Sequence, residues 1–216
     1  MNLEEYRAAY SEDTAPGWDA IDQKLAEVYG IQDHRHWAPA VRHVLGGPDP
    51  LDGISVYRCA EGDGGHLHYV TFGFSSLYYD EAAVNGPFSG LGFELTIRVL
   101  ERDAPSDQPG WVCSLLQNLA KYIFKSNKWF EANQWLDARG PIRQNCDTDI
   151  VGMIFVPDPV LKTIETPHGR LEFLQIAGIT TPELALIRDG VQTPAAMVEE
   201  LRRSSPLLIT DLLRRN

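Results

Sequence analysis

Sulfur is sparse in this 216-residue chain, which has three methionines and three cysteines, Cys59, Cys113 and Cys146. The odd count, the wide spacing and the lack of any C-x-x-C pair argue against a disulfide framework and point to thiols in a reducing compartment. No apolar run approaches the roughly 20 residues that a membrane-crossing helix needs. The opening stretch, MNLEEYRAAYSED, is acidic and has no apolar run, so no signal peptide is expected and the expected location is cytoplasmic. Positive charge is also short: 19 Lys and Arg stand against 30 Asp and Glu, a formal net charge of -11. Such a surface repels phosphate backbones and anionic bilayers, so neither nucleic acid nor membrane is an expected partner, whereas a basic protein would be drawn in. Internal repeats and low-complexity stretches are missing as well.

What is present is ordinary for a folded domain: 44% apolar and 23% charged residues. A chain of this size buries roughly 70 per cent of its unfolded surface, enough for a core without covalent staples. Residues 1–16 read as a short helix or loose arm, and residues 17–216 as one domain. Trp18, Ile21, Leu25 and Val28 recur at spacings of three and four, which predicts a helix stopped by Gly30. The segment from Ile31 to Trp37 is polar. Residues 45–53, with two prolines and three glycines, exclude regular structure. Strands are predicted at 54–59, 67–74 and 92–99, the last with Phe93, Leu95, Ile97 and Val99 on one face. A turn is expected at 61–65 and a polar loop at 101–110. Residues 111–124 form the strongest helical pattern. Further strands are predicted at 150–156 and 170–179, with a turn at 165–169 between them. Helices follow, capped by Thr181 before Pro182 and by Thr193 before Pro194, then a short strand at 207–210. The expected class is α+β: a mixed, largely antiparallel sheet flanked by helices, an α/β sandwich.

Reactive chemistry is harder to find. His34-x-His36 and His66-x-His68 each offer two imidazoles, and on a strand an i, i+2 pair shares a face. No cysteine or carboxylate cluster accompanies them. His34 and His36 are expected to be solvated and His68 to be a hydrogen-bonded core residue, with no metal and no cofactor. Ser75 and Ser76 lack the G-x-S-x-G context of a nucleophile elbow. Glu94, Asp80 and Glu81 could form a carboxylate group, but a structural or solvated role is favoured. No catalytic residue is assigned. The aromatics say more. Tyr122 and Phe124 sit two apart on one helix and cannot both face one core. Some rings among Trp111, Tyr122, Phe124, Trp129 and Trp135 should therefore reach the surface, where Trp and Tyr anchor interfaces.

Several blocks are more specific. Leu45-Gly46-Gly47-Pro48-Asp49-Pro50-Leu51-Asp52 with Ser55 to Arg58 resembles a suppressor-of-fused signature. So do residues 68–75 with Leu77-Tyr78, residues 92–96, residues 116–126, and Thr166-Pro167-His168-Gly169 with 173–178 and 208–211. The blocks run in the family's order over about residues 17–215. Gly46, Gly47, Pro48, Asp49, Pro50, Asp52, His68 and Tyr69 are its motif residues here. The prolines are expected to fix the approach to the strand at 54–59, and Asp49 and Asp52 to bond backbone N–H groups.

The resemblance implies an α/β sandwich and a non-enzymatic, protein-binding role. Animal members restrain Hedgehog signalling by gripping a Gli peptide as an added strand between two domains. On this resemblance the chain is expected to end where the first of those domains ends. Tyr122 is then the one peptide-contacting position carried over, since the loop 127–141 departs too far from the family pattern. Stand-alone members of this length resemble bacterial proteins proposed to be immunity proteins that neutralise toxins. Two readings of the binding role stay open: neutralising a basic toxin, or regulating through peptide addition to a sheet edge. Behind them stands a hydrolase-type enzyme using His68 with Glu94 or Cys59.

Overall fold

The alternation of Phe93, Leu95, Ile97 and Val99 marks the long central strand β4, Phe88–Leu100. The computed structural model describes residues 1–30, 32–60, 65–104 and 110–215. The expected turn at 61–65, except Gly65, and the middle of the loop at 101–110 lie outside the described residues. Around β4 are the strands β1 (Arg35–Trp37), β2 (Gly53–Cys59), β3 (His66–Phe72), β5 (Trp135–Asp137), β6 (Ile150–Pro157), β7 (Thr163–Thr166) and β8 (Gly169–Thr180). They make one sheet in the order β1-β2-β3-β4-β8-β6-β5, with β7 paired to β8 off this path. Among these described strands only β4 and β8 pair in parallel, in register from Phe93 opposite Glu172 to Ile97 opposite Ile176. The sheet is mixed and largely antiparallel, as the patterns predict.

Helices cover both faces. On one, α3 (Trp111–Ser126) buries Val112, Leu116, Leu119 and Ile123 against Tyr69, Leu95, Ile97 and Phe155. Each fully buried leucine or isoleucine contributes about 1.5–3 kcal/mol, so this layer is a main source of stability. The other face has two separate apolar clusters. In the first, Ile21 and Leu25 of α2 (Pro16–Tyr29) meet Val70, Phe72 and Phe173. In the second, α4 (Thr181–Arg188) and α5 (Pro194–Ser204) bring Leu184, Ile187 and Val198 onto Ile154, Val156 and Ile179.

Local chemistry sets the element ends. Gly30 closes α2 with a positive φ of 67°, and Asn127 closes α3 in the left-handed region at 53°. The cap of α4 is Thr180, one residue before the expected Thr181, because Thr180 N–H donates to the Glu183 carboxylate at 2.7 Å. Thr193 caps α5 as expected. The strand expected at 207–210 reduces to a single bridge between Thr210 and Val99. Two further differences concern histidines and aspartates. His34 and His36 flank and occupy the edge strand β1. His34 stacks on Tyr57, and His36 bonds Ser55 Oγ at 2.9 Å, so both are exposed but packed rather than merely solvated. Asp49 pairs with Lys121 at 2.8 Å instead of a turn N–H.

The N-terminal helix α1 (Leu3–Ala9) is docked, not loose. Tyr6 is fully buried, and its hydroxyl lies 2.8 Å from His168 Nε2 and accepts the Asp80 N–H at 3.0 Å. His168 Nδ1 faces the Ser76 carbonyl at 2.8 Å. That carbonyl fixes the proton on Nδ1, so Nε2 accepts from Tyr6. Replacing Tyr6 by phenylalanine leaves Nε2 and the Asp80 N–H unsatisfied and is expected to cost about 1–3 kcal/mol. Limited proteolysis should then cut within residues 1–16 well before the core; equal resistance of both proteins would contradict this docking.

Candidate functional site

The edge strand β5 follows from a three-residue alternation. Leu136 packs toward the core under α3 while Trp135 and Asp137 face the other way. Backward-facing bonds tie the segment to β6: Asn133 N–H to Phe155 O at 2.8 Å, Phe155 N–H to Gln134 O at 2.9 Å, and Ala138 N–H to Val151 O at 2.9 Å. In an antiparallel ladder the bonded residues alternate, so the N–H and C=O of Trp135 and Asp137 point away from β6. Among the described residues no strand pairs with that outer side. This is the kind of edge that accepts another strand.

Grooves flank it. One of about 410 Å³ is lined by Tyr122, Trp129, Phe130, Gln134 and Trp135. Another of about 740 Å³ shares Tyr122 and Trp135 and runs past Leu119 and Ile142. Tyr122 is 43%, Trp129 56% and Trp135 37% exposed. Phe130 anchors this floor, stacking on Phe155 at 3.9 Å and on Tyr122 at 6.1 Å. Three of the five residues singled out in the sequence, Tyr122, Trp129 and Trp135, therefore line one groove, Tyr122 from α3 and Trp135 from the edge strand. The other two do not join them. The Trp111 indole donates to Asp103 O at 2.8 Å and packs against the core, and Phe124 stacks on Phe74 and lies tilted against His43.

Of the charged residues considered for chemistry, Glu94 and His68 serve the interior. Glu94 is fully buried. Its carboxylate accepts from the N–H groups of Gly73, Phe74 and Ser75 at 2.9–3.1 Å and from the hydroxyls of Thr71 and Ser75 at 2.6 Å. Burial pushes this carboxyl up to about 7, against the pull of those donors. Asp80 and Glu81 are elsewhere, capping a short turn and pairing with Arg7. His68 is also fully buried, with its Nδ1 bonded to the Tyr29 hydroxyl and its Nε2 3.1 Å from Asp158 Oδ2. Burial and then the Arg98 charge lower it to about 4. No hydrogen bond joins His68 to Glu94, so the acid–base pair considered above is not assembled.

Between the two apolar clusters of that face runs a buried polar seam. Arg98 donates to both oxygens of Asp158, at 2.7 and 3.1 Å, and to Gln175. Thr96 and the N–H groups of Val160 and Leu161 complete the Asp158 shell at 2.8–2.9 Å. Burial alone would raise the Asp158 carboxyl, but His68 and Arg98 hold it well below the usual carboxylate range.

Comparison with known proteins decides the family. The family model described as Suppressor of fused protein matches residues 47–215. The chain belongs to the suppressor of fused family. The suppressor of fused homologs of Homo sapiens and Mus musculus are each 37% identical over 188 residues, covering 81% of this chain and 38% of the relative. The chain thus spans under two fifths of the length of these relatives. Among solved structures, a chain of the Sufu–Fu complex superposes with a TM-score of 0.84 at 28% identity, covering 94% of this chain and 93% of that one. Drosophila Suppressor of Fused gives 0.84 and 28%, with 95% and 52% covered. A suppressor-of-fused homolog from Neisseria gonorrhoeae shares the fold at 13% identity, TM-score 0.60, with 93% and 96% covered.

The suppressor-of-fused blocks meet in space. Gly73 ends β3 with φ 139° and lies so close to Leu51 and Asp52 that a Cβ would come within 2.9 Å of Asp52 N. Asp52 N–H in turn bonds Phe72 O at 2.9 Å. The block at residues 46–52 is thereby latched to the block at 68–75, and through Ser76 O and His168 to the block at 166–169. These motif residues build the frame. The exposed rings around β5 lie outside most of them.

Proposed function

We propose that this chain is a protein-binding domain that receives an extended segment of its partner as an added strand along the outer side of β5. Residues 17–216 would form the domain and residues 1–16 its docked arm. The observation that carries this reading is the open β5 edge bordered by Tyr122, Trp129 and Trp135. Backbone bonds from Trp135 and Asp137 would supply affinity, and the flanking grooves would take alternate side chains of the added strand. The Sufu–Fu complex among the similar structures supports a protein partner. The net charge of -11 favours a basic one, a toxin of a rival cell included.

The test is capture of partners from the native host followed by variants at the edge. Asp137→Pro removes an outward N–H at an edge position where proline is tolerated. It is expected to weaken the captured partner about tenfold or more. Trp129→Ala, at an exposed anchor, should cost about 2 kcal/mol of binding with little change in stability. Partners that bind both variants as well as the wild type would refute this site.

A further inference from the structure

The β5 edge leads to a second concave surface at one of its ends. From Asp137 opposite Gly152 to Trp135 opposite Ile154, β5 follows β6 in the direction in which β6 reaches Pro157, the partner of Leu174 in β8. Beyond that end lies a groove of about 500 Å³ with Leu174 and Phe93 in its lining. Both belong to the core cluster under α3, so the groove opens on the α3 face of the sheet. Trp129, Phe130 and Glu131 border both this groove and the one beside Tyr122 and Trp135. A chain leaving β5 at this end therefore passes from one groove into the other.

The walls are apolar and open to solvent: Phe88 is 50% and Leu91 39% exposed, alongside the exposed Trp129. Single exposed apolar residues are ordinary, but three around one concavity mark a contact surface. The wall is held in place by its backbone and by one cation. Leu91 N–H donates to Phe74 O at 2.8 Å. Phe88 is set opposite Arg170 in the β4–β8 register, and the Arg170 guanidinium lies 4.9 Å from the centre of the Phe88 ring. Two carboxylates, Glu131 and Glu172, complete the lining. Glu172 alternates with Leu171 and Phe173 of the opposite face, so it shares the groove face with Arg170 and Leu174. Among the described residues neither carboxylate has an ion pair. With Arg170 held on Phe88, the charge left for a partner is negative, in line with the net charge of -11.

We propose that this groove seats a bulky apolar side chain of the partner, with a lysine or arginine beside it that pairs with Glu131 and Glu172. Both lie just beyond the stretch of the same segment that adds to β5. The inference rests on the reading of β5 as the acceptor edge, and it adds the partner's chemistry: an extended run ending in an adjacent apolar–basic pair.

The probe is a library of random peptides displayed on phage and selected against the full chain. Selected peptides are expected to share an aromatic residue or leucine next to lysine or arginine at one end of an extended run. Fluorescence anisotropy then gives the affinity of one such peptide. Leu91→Ser and Phe88→Ser should each weaken it about tenfold. Glu131→Gln combined with Glu172→Gln should weaken it about fivefold and remove most of its salt dependence. Replacing the basic residue of the peptide by glutamate should cost as much, and Glu172→Lys should restore part of that loss. None of these four side chains is buried, and the Leu91 backbone bond does not need its side chain, so the variants fold. Val191→Ser, at an exposed apolar position between α4 and α5 on the opposite face, should bind like the wild type. Asp137→Pro separates this inference from the one beneath it. Loss with Asp137→Pro but not with Leu91→Ser or Phe88→Ser overturns the groove and leaves strand addition standing. Loss with the groove variants but not with Asp137→Pro keeps the occupant of the groove and refutes strand addition beside it. Selected peptides without the apolar–basic pair, or a charge-reversed peptide that binds equally well, overturn the proposal.

Discussion

Asp158→Ala is expected to cost about 3–5 kcal/mol of stability, because it strands a buried guanidinium without its counter-charge. The same change removes the acceptor for Thr96 and for the N–H groups of Val160 and Leu161. Native domains have only about 5–15 kcal/mol in total, so the variant should be largely unfolded on modest heating. The physical cause is the unpaired charge rather than loss of an attractive pair. Arg98→Met combined with Asp158→Leu should therefore recover much of the loss, as apolar replacements of buried ion pairs often do. Urea midpoints of the single and double variants measure this. A double variant no better than Asp158→Ala would show that the donors left without an acceptor, Thr96 Oγ1 and the Val160 and Leu161 N–H groups, rather than the stranded charge, set the loss.

Glu94→Ala is expected to be comparably severe, about 3–5 kcal/mol. Five donors lose their acceptor at once, and buried donors left unmade cost about 1–3 kcal/mol each before relaxation. The Gly73–Ser75 turn depends on that carboxylate, and Phe74 of that turn stacks on Phe93 and Phe124. Glu94→Gln keeps one carbonyl oxygen for the three backbone N–H groups and should cost about 1–2 kcal/mol. Since burial already pushes this carboxyl toward neutrality, an amide is a fair mimic of its protonated form. Thermal unfolding ranks the two. Equal losses would mean that the turn reads the charge rather than the acceptor geometry.

Much of the frame is legible in the sequence because its physics is local. The alternation at 93–99 and the three-four spacing at 18–28 are set by strand and helix periods, and both are found where expected. The three-residue strands β1 and β5 escape such reading, because RHW and WLD are too short to show a period. For β5 the available signal is the pair of turn positions around it, Asn133 and Arg139, both with positive φ. The buried seam is invisible for a different reason: Arg98 and Asp158 are 60 positions apart, and only the β4–β8–β6 packing brings them together. The aromatic site is half legible. Helix geometry requires Tyr122 or Phe124 to leave the core, and both do, but only the fold decides that Tyr122 joins Trp129 and Trp135 while Phe124 turns to His43.

Amide hydrogen exchange at single-residue resolution, with and without a captured partner, reads the β5 edge directly. Strand addition predicts that the Trp135 and Asp137 amides exchange readily in the isolated chain and become strongly protected in the complex. A tight complex in which those two amides keep exchanging at the isolated-chain rate would contradict the account.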